Sequence, residues 1–299
     1  MEKILRIESI SQINEMVGYE KLKHPLITLL EPWKVKMIPV IEQKIIMSLY
    51  SISLKTGHEC KIKYGRQNYD FKEGTLMCLA PGQTMEPLST SDKSELNGWV
   101  LIFHPDLISK SALGKKINEY TFFSYDSHEA LHLSDQERQT VTDIVKAIKV
   151  EYSQNLDVHS QDLIISNIEL LLNYCKRFYG RQFITRTNVY KDVVIRFEEF
   201  LKSYFDSDKP ESQGLPSVKY CAQEMCYSPN YLSDLLKKET GKNTQEHIHF
   251  YLIEKAKIML LGTQEPVNRI AHSLGFEYPQ HFSKLFKDKT GMSPAEYRK

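Results

Sequence analysis

Two short segments carry the side chains best suited to chemistry. Asn230, Ser233, Asp234 and Lys237 follow Pro229 at the spacing of one helical face, and Gln280, His281, Ser283, Lys284 and Lys287 follow Pro279 in the same way. Amides, hydroxyls, an imidazole and ammonium groups presented from one side of a helix are equipped to bond base edges and phosphates in the major groove of a duplex. The opposite face of each segment is apolar: Tyr231, Leu232, Leu235 and Leu236 in the first, Phe282, Leu285 and Phe286 in the second. A solvated surface is more often dominated by Glu/Lys pairs. Two alternatives stay open on the residues alone: a helical bundle or protein-interaction module, and a barrel enzyme carrying a helical appendage. Against an enzyme, the sequence offers no nucleophile–base pair, phosphate-binding loop or ligand cluster. His58-Glu59 stands isolated, without a His-x-His, so no catalytic residue, metal or cofactor is expected.

The elements that position these faces come from an internal duplication. Pro229, Ser233, Leu235, Lys237, Thr240 and Gly241 recur 50 positions later as Pro279, Ser283, Leu285, Lys287, Thr290 and Gly291. Upstream the offset is 49, pairing Val218 with Val267 and Ala222 with Ala271, so the second copy has one extra residue in its turn. Each copy reads as helix, short turn, helix. Ser217 caps the first helix of copy one, whose apolar side is Val218, Cys221, Ala222 and Met225, and Ser228-Pro229 restarts the chain as cap and first helical residue. In copy two, Pro266 opens a helix with Val267, Ile270, Ala271 and Leu274 inside, and Gly275 supplies the turn. Between the copies, Asn243-Thr244-Gln245-Glu246 is a capping box. It opens a helix to about Leu261 with Ile248, Leu252, Ala256, Met259 and Leu260 on one side. That helix spans on the order of 28 Å, a length able to hold two reading helices about 34 Å apart, one turn of DNA. Ser293-Pro294-Ala295-Glu296 starts a last short helix on the same cap logic.

Bulk properties set the frame. The chain has 299 residues, 41% hydrophobic and 26% charged, which fits two ordinary globular domains. No run approaches 18 apolar residues, so no membrane partner is expected. The charged start Met1-Glu2-Lys3-Ile4-Leu5-Arg6 does not read as a secretory signal. Five cysteines, Cys60, Cys78, Cys175, Cys221 and Cys226, form no CxxC pair and read as buried, inert thiols in a reducing cytoplasm. Net charge is +1, and from residue 190 onward 16 Lys and Arg face 15 Asp and Glu. Any case for nucleic acid therefore rests on local arrangement.

From about Pro25 to Tyr120 the pattern is strand-like: Val40-Ile41, a run from Lys44 to Ile52, Thr75 to Leu79 and Gly98 to Phe103. Lys55-Thr56-Gly57, Glu73-Gly74 and Ala80-Pro81-Gly82-Gln83 separate them as turns. This spacing predicts a small antiparallel barrel or double-sheet jelly roll. Tyr50, Tyr64, Tyr69, Trp99 and Phe103 are pocket candidates, although aromatic residues on strands more often form core. Two helices follow, Asp135 to about Tyr152 with Val141, Ile144, Val145 and Ile148 inside, and Ser160 to Tyr179, apolar over more than one stripe. The stretch Gly180 to Asn188 lacks periodicity and reads as a connection. Val193 to Phe205 reads as a helix, and Asp206 to Pro216 as a loop.

Taken together, Ile270-Ala271-His272-Ser273-Leu274-Gly275-Phe276, Phe282-Ser283-Lys284-Leu285-Phe286-Lys287 and Gly291-Met292-Ser293-Pro294-Ala295-Glu296-Tyr297-Arg298 closely resemble the signature of the AraC/XylS family of bacterial transcription regulators. The resemblance covers residues from about 190 to 299. It implies an α+β multidomain protein: an N-terminal cupin-like antiparallel β-barrel with flanking helices, and a C-terminal all-α domain of two helix-turn-helix units joined by a long helix. The implied divisions are an effector-sensing and dimerisation domain at 1–180 (barrel about 25–120, helices about 134–179), a linker at 181–192, and the DNA-binding domain at 193–299. The second helix of each unit reads DNA in the family, which implies that Pro229, Asn230, Ser233, Asp234, Pro279, Gln280, His281, Ser283 and Lys284 face bases. Lys237 and Lys287 then meet phosphates. Lys284 stands where the family usually has arginine, and Asp234 where a basic or amide side chain is common. The partners so implied are a double-stranded DNA operator, a second copy of the chain, and, less directly, RNA polymerase and a small effector.

Overall fold

The computed structural model describes residues 4–18, 23–31, 44–56, 61–64, 67–70, 74–85, 97–126, 129–154, 157, 159–185 and 187–299. They divide into two compact units, Met1–Gln182 and Phe183–Lys299.

In the first unit, β1 (Ile4–Ile7) and α1 (Ile10–Val17) precede a run of strands: β2 (Ile27–Leu30), β3 (Lys44–Met47), β4 (Tyr50–Thr56), β5 (Lys61–Tyr64), β6 (Gln67–Asp70), β7 (Thr75–Leu79), β8 (Thr84–Met85) and β9 (Asn97–Phe103). After α2 (Ala112–Lys116), a short β10 (Leu131–His132) completes a five-stranded antiparallel sheet of order β10-β7-β4-β9-β2. The centre of that sheet is the pairing of β4 with β9, with Ile52 opposite Leu101 and Leu54 opposite Trp99. Gly98 is required there, because a Cβ at that position would stand 1.8 Å from the Leu54 carbonyl oxygen. A three-stranded sheet pairs β1 parallel to β3 and β3 antiparallel to β8, and β5 and β6 form a separate hairpin.

The run from Lys44 to Ile52, read as one strand, is thus two. Its backbone bends at Ser48, whose amide donates to the Ile7 carbonyl (2.8 Å), while Leu49 is fully buried, so β3 and β4 serve different sheets. Lys55-Thr56 continue β4 instead of turning. The Ala80–Gln83 turn forms as expected, with the Gln83 side chain accepting from the Ala80 amide (2.8 Å). Val40-Ile41, His58-Glu59 and Cys60 lie outside the described residues. Tyr64 and Tyr69 fall in the β5–β6 hairpin. Tyr50 stacks on Phe103 and meets Phe123 edge-on, with ring centroids 5.1 Å apart in both cases, so these aromatics pack against each other.

Two long helices cover this unit. A reciprocal capping box between Ser134 and Glu137 starts α3 (Asp135–Ser153), which buries Val141, Ile144, Val145, Ile148 and Tyr152. Trp99 Nε1 donates to Thr142 Oγ1 (3.1 Å), and the Leu29 amide donates to the Tyr152 hydroxyl (3.0 Å), pinning α3 to the sheet. The next helix, α4 (Ser160–Thr185), buries Ile164, Ile168, Leu171, Leu172 and Cys175, the several-sided burial that its sequence predicts. It runs six residues past Tyr179, into the stretch read as an irregular connection. There the Arg181 guanidinium holds both Glu137 oxygens (2.9 and 2.8 Å), and the buried Gln182 accepts from the His132 amide (2.9 Å). Burial keeps its helical period here through Gln182 and Phe183, the first a polar residue that apolar periodicity does not count.

The second unit is helical throughout. α5 (Thr187–Phe205) is followed by α6 (Lys209–Gln213), a short helix inside the segment read as a loop; Pro210 sits in its first turn and the Ser212 amide donates to the Asp208 carbonyl (3.2 Å). Then come α7 (Val218–Met225), α8 (Pro229–Thr240), α9 (Thr244–Gly262), α10 (Val267–Ser273), α11 (Pro279–Thr290) and α12 (Pro294–Arg298). Ala222 and Ala271 are fully buried where these helices cross. The turns of the two copies close alike: the Tyr227 amide reaches the Ala222 carbonyl (2.9 Å) and the Phe276 amide the Ala271 carbonyl (3.0 Å). Both turns need a left-handed residue, Cys226 (φ 60°) in the first and Gly275 (φ 94°) in the second. Gly275 also lies against Gly214, where a Cβ would come within 2.8 Å of the carbonyl carbon.

Cys226 corrects the expectation that every cysteine is buried. It is exposed, whereas Cys78, Cys175 and Cys221 are buried, and burial pushes the Cys221 thiol up to about 12. A side chain in left-handed backbone costs about 1–2 kcal/mol, partly offset by the greater entropy glycine loses on folding. Cys226→Gly is therefore expected to stabilise the second unit by about 0.5–1 kcal/mol, and Gly275→Ala to destabilise it by more than 1 kcal/mol. Hydrogen exchange of the α7–α8 and α10–α11 amides measures both, and a destabilising Cys226→Gly contradicts the assignment of strain.

Candidate nucleic-acid interface

Each copy builds an outward helix from an inward one. In α8, Tyr231, Leu232, Leu235 and Leu236 are completely buried, which turns Pro229, Asn230, Lys237 and Lys238 to solvent and leaves Ser233 and Asp234 half-buried. In α11, Phe282 and Phe286 are completely buried and Leu285 half-buried. Gln280, His281, Lys284, Lys287 and Lys289 face solvent, and Pro279 and Ser283 are half-buried. The expected polar faces are thus presented as two sets, one per copy. Ser233 is the member most engaged internally, for its hydroxyl donates to Thr244 Oγ1 (3.0 Å) at the start of α9. Its lone pairs, not its proton, are what it has left to offer.

The start of α8 is capped by Ser228, whose hydroxyl accepts from the Tyr231 amide (3.4 Å). The matching position before α11 is Tyr278, which makes no side-chain cap; losing a cap of this kind typically costs about 1 kcal/mol. Both helices end at glycine with the same closure, Gly241 to Lys237 (2.9 Å) and Gly291 to Lys287 (2.8 Å). Lysines in both last turns, Lys237 and Lys238, Lys287 and Lys289, complement the negative helix end while remaining exposed.

The duplication extends into a third helix per copy. The box Asn243/Glu246 opens α9 and the box Ser293/Glu296 opens α12, 50 positions apart. The Ser293 hydroxyl and amide hold the Glu296 carboxyl below the ordinary carboxylate range. Thr240 and Thr290 each donate to a carbonyl one turn back, Leu236 and Phe286 (2.8 Å both), and each accepts from the amide two residues on. Arg298 Nε donates to the Leu260 carbonyl (3.1 Å), tying α12 to the end of α9. Sequence reasoning paired Thr240 with Thr290 across the repeat without assigning them a role, and it did not single out Lys238, Lys289 or Tyr278.

Of the described residues, none form a group of three or more His, Cys, Asp or Glu able to hold a metal, and no helix is long and apolar enough to cross a membrane. A helix-turn-helix domain family matches residues 221–299. The chain is 35% identical over 260 residues to the arabinose operon regulatory protein of Salmonella typhimurium, covering 86% of each chain. It is 26% identical over 193 residues to the uncharacterized HTH-type transcriptional regulator YijO of Escherichia coli, and 37% identical over 82 residues to YobQ of Bacillus subtilis, described in the same words. Those two matches cover 64% and 27% of this chain, and span 64% and 34% of the relatives' own lengths. A solved structure, the C-terminal domain of AraT, a response regulator from Geobacillus stearothermophilus, is 29% identical over 36% of this chain and 83% of that one, with a TM-score of 0.32.

A titratable group sits at the joint between α8 and α9. His247 is buried, its Nε2 lies 2.7 Å from Thr240 Oγ1, and its ring meets Phe197 edge-on (5.9 Å). Thr240 already donates to Leu236, so the imidazole supplies the proton of this bond through an Nε2–H tautomer. Burial first, then the Lys242 charge, lowers its pKa from the ordinary 6.5, and burial with Lys289 does the same for His249. The unfolded chain therefore binds more protons than the folded one once pH drops below about 6.5. Stability from these neutral histidines is fully present above that value and is lost as pH falls through it. Denaturation midpoints from pH 7.5 to 5 should decline for the wild type, and the decline should be shallower in His247→Gln; equal slopes rule the residue out.

Proposed function

Because this chain belongs to the AraC/XylS family of transcription regulators, we propose that it binds a double-stranded DNA operator through α8 and α11 and thereby controls transcription. The observation that carries the reading is the matched pair of outward faces on two helices whose opposite stripes are buried. Asn230 in the first copy and Gln280 and His281 in the second are exposed, beside Pro229 and Pro279, within the first turn of their helices. That is the part of a recognition helix that reaches base edges. Ser233, Asp234, Ser283 and Lys284, one turn further on, complete the base-facing set, Asp234 as an acceptor for cytosine N4 and Ser233 as an acceptor only. Lys237 and Lys287, in the last turns, take phosphates.

For the first unit we propose a cupin-like sensing domain without catalysis. Its antiparallel sheet and the two long helices α3 and α4 support that reading, as does the likeness to a regulator along most of the chain. A small effector or a change of dimer state alters DNA binding only if it favours one conformation over another. A homodimer formed through the long helices, acting in the cytoplasm and touching RNA polymerase at the promoter, completes the proposal. Val150, Leu163 and Leu170, exposed on α3 and α4, supply apolar surface for such a contact.

Salt titration against duplex DNA tests the central claim. Lys287→Ala should weaken binding to all sequences alike and flatten the dependence of log affinity on log salt by about one ion. Gln280→Ala should relax preference mainly at one base pair, by about 1–3 kcal/mol of discrimination. A uniform loss across sequences for Gln280→Ala removes it from the base-reading set, and salt-independent binding removes DNA as the partner.

A further inference from the structure

Tyr278 is an anomaly in the repeat. It belongs to the stretch that makes the second copy one residue longer, and it occupies the position that Ser228 uses to cap α8. Tyrosine provides no such cap, so the helix start is less stable than its twin. Nor does the ring repay this by burial, since it is 49% exposed. Its contact is instead with His281, edge-on at 5.6 Å between ring centroids and 64° between planes. His281 is itself exposed in the first turn of α11, beside Gln280. The arrangement gives up local stability to hold two aromatic rings and a phenol hydroxyl at the leading end of the reading helix.

Resting on the DNA-binding reading above, we propose that Tyr278 is a DNA-contacting residue: its phenol donates to a backbone phosphate, and its ring holds the His281 imidazole toward the base edges. Phosphate oxygens accept from tyrosine hydroxyls as they do from serine and asparagine, and such bonds set the register of a helix in the groove. A neutral phenol displaces no counterion, so this contact adds affinity without adding to the salt dependence. That property separates it from the lysines. The His281 side chain, backed by a ring on one side, loses less rotamer freedom when it meets a base.

The test uses the full chain and a duplex that the wild type selects from a random-sequence pool. Tyr278→Ser restores the cap and removes the ring; Tyr278→Phe removes only the hydroxyl. Tyr278→Ser should protect the α11 amides more strongly against hydrogen exchange yet bind the duplex about tenfold more weakly, with an unchanged salt slope. Tyr278→Phe should lose most of the same affinity while keeping base preference. Tyr278→Ser should also broaden preference at the base pair that His281→Ala broadens. Wild-type affinity in Tyr278→Ser overturns the proposal, and wild-type affinity in Tyr278→Phe overturns the phosphate contact. If Gln280→Ala and Lys287→Ala weaken binding while both Tyr278 variants do not, only this inference falls. If none of the four changes binding, the DNA-binding reading falls with it.

Discussion

The geometry of the second unit depends on one backbone constraint, the left-handed residue that ends the first helix of each copy. Cys226 and Gly275 reverse the chain within three or four residues, so the following helix lays its apolar stripe back onto the one before it. Once Leu232 and Leu236, or Phe282 and Phe286, are committed to the interior, the 3.6-residue period leaves no choice about the rest. Asn230 and Gln280 must point outward. The polar faces are consequences of the turn, and they stay aligned with their helices only while that turn holds.

The turn holds because a third helix closes each copy. Ala222 and Ala271 contribute almost no side-chain volume at the crossings, which lets backbones approach where a leucine would force them apart. After each outward helix, glycine, threonine and a capping box repeat in order and lead directly into α9 or α12. α9 thereby has two duties, closing the first copy at its start and receiving Arg298 from the second at its end. A connector that is itself part of both cores cannot bend without disturbing both. This is a physical reason for a helix of 19 residues where a flexible tether would be simpler.

Legibility in the sequence followed the range of the forces involved. The C-terminal unit is local in its logic: caps, proline starts, glycine ends and apolar stripes are all written within a few residues of where they act. The duplication supplied a second reading of each. In the N-terminal unit the decisive contacts are distant in sequence. Nothing near Ser48 announces that its amide will find the Ile7 carbonyl and split one apparent strand between two sheets. The stretch after Tyr179 looks aperiodic because the next buried position is Gln182, a polar residue whose partner, the His132 amide, lies 50 residues earlier. Cys226 was misread for the opposite reason. Its identity suggested burial, while its place in the repeat, opposite Gly275, marked it as the left-handed residue of a turn.

The two copies are not equivalent, and their difference explains how a chain of net charge +1 can suit a polyanion. Along α8, Lys237 and Lys238 are balanced by Asp234 and Glu239; along α11, Lys284, Lys287 and Lys289 face only Asp288. On the proposed reading the second copy carries most of the attraction to phosphate, and the first, electrically neutral, adds affinity only where its side chains match the bases before it. Attraction that is indifferent to sequence would then come from one helix and discrimination disproportionately from the other. On that reading, such a division would let one copy find DNA while the other decides where to stay. It also makes the first copy the one whose orientation a signal from the N-terminal unit could most economically alter, since a small loss of fit there is not masked by charge.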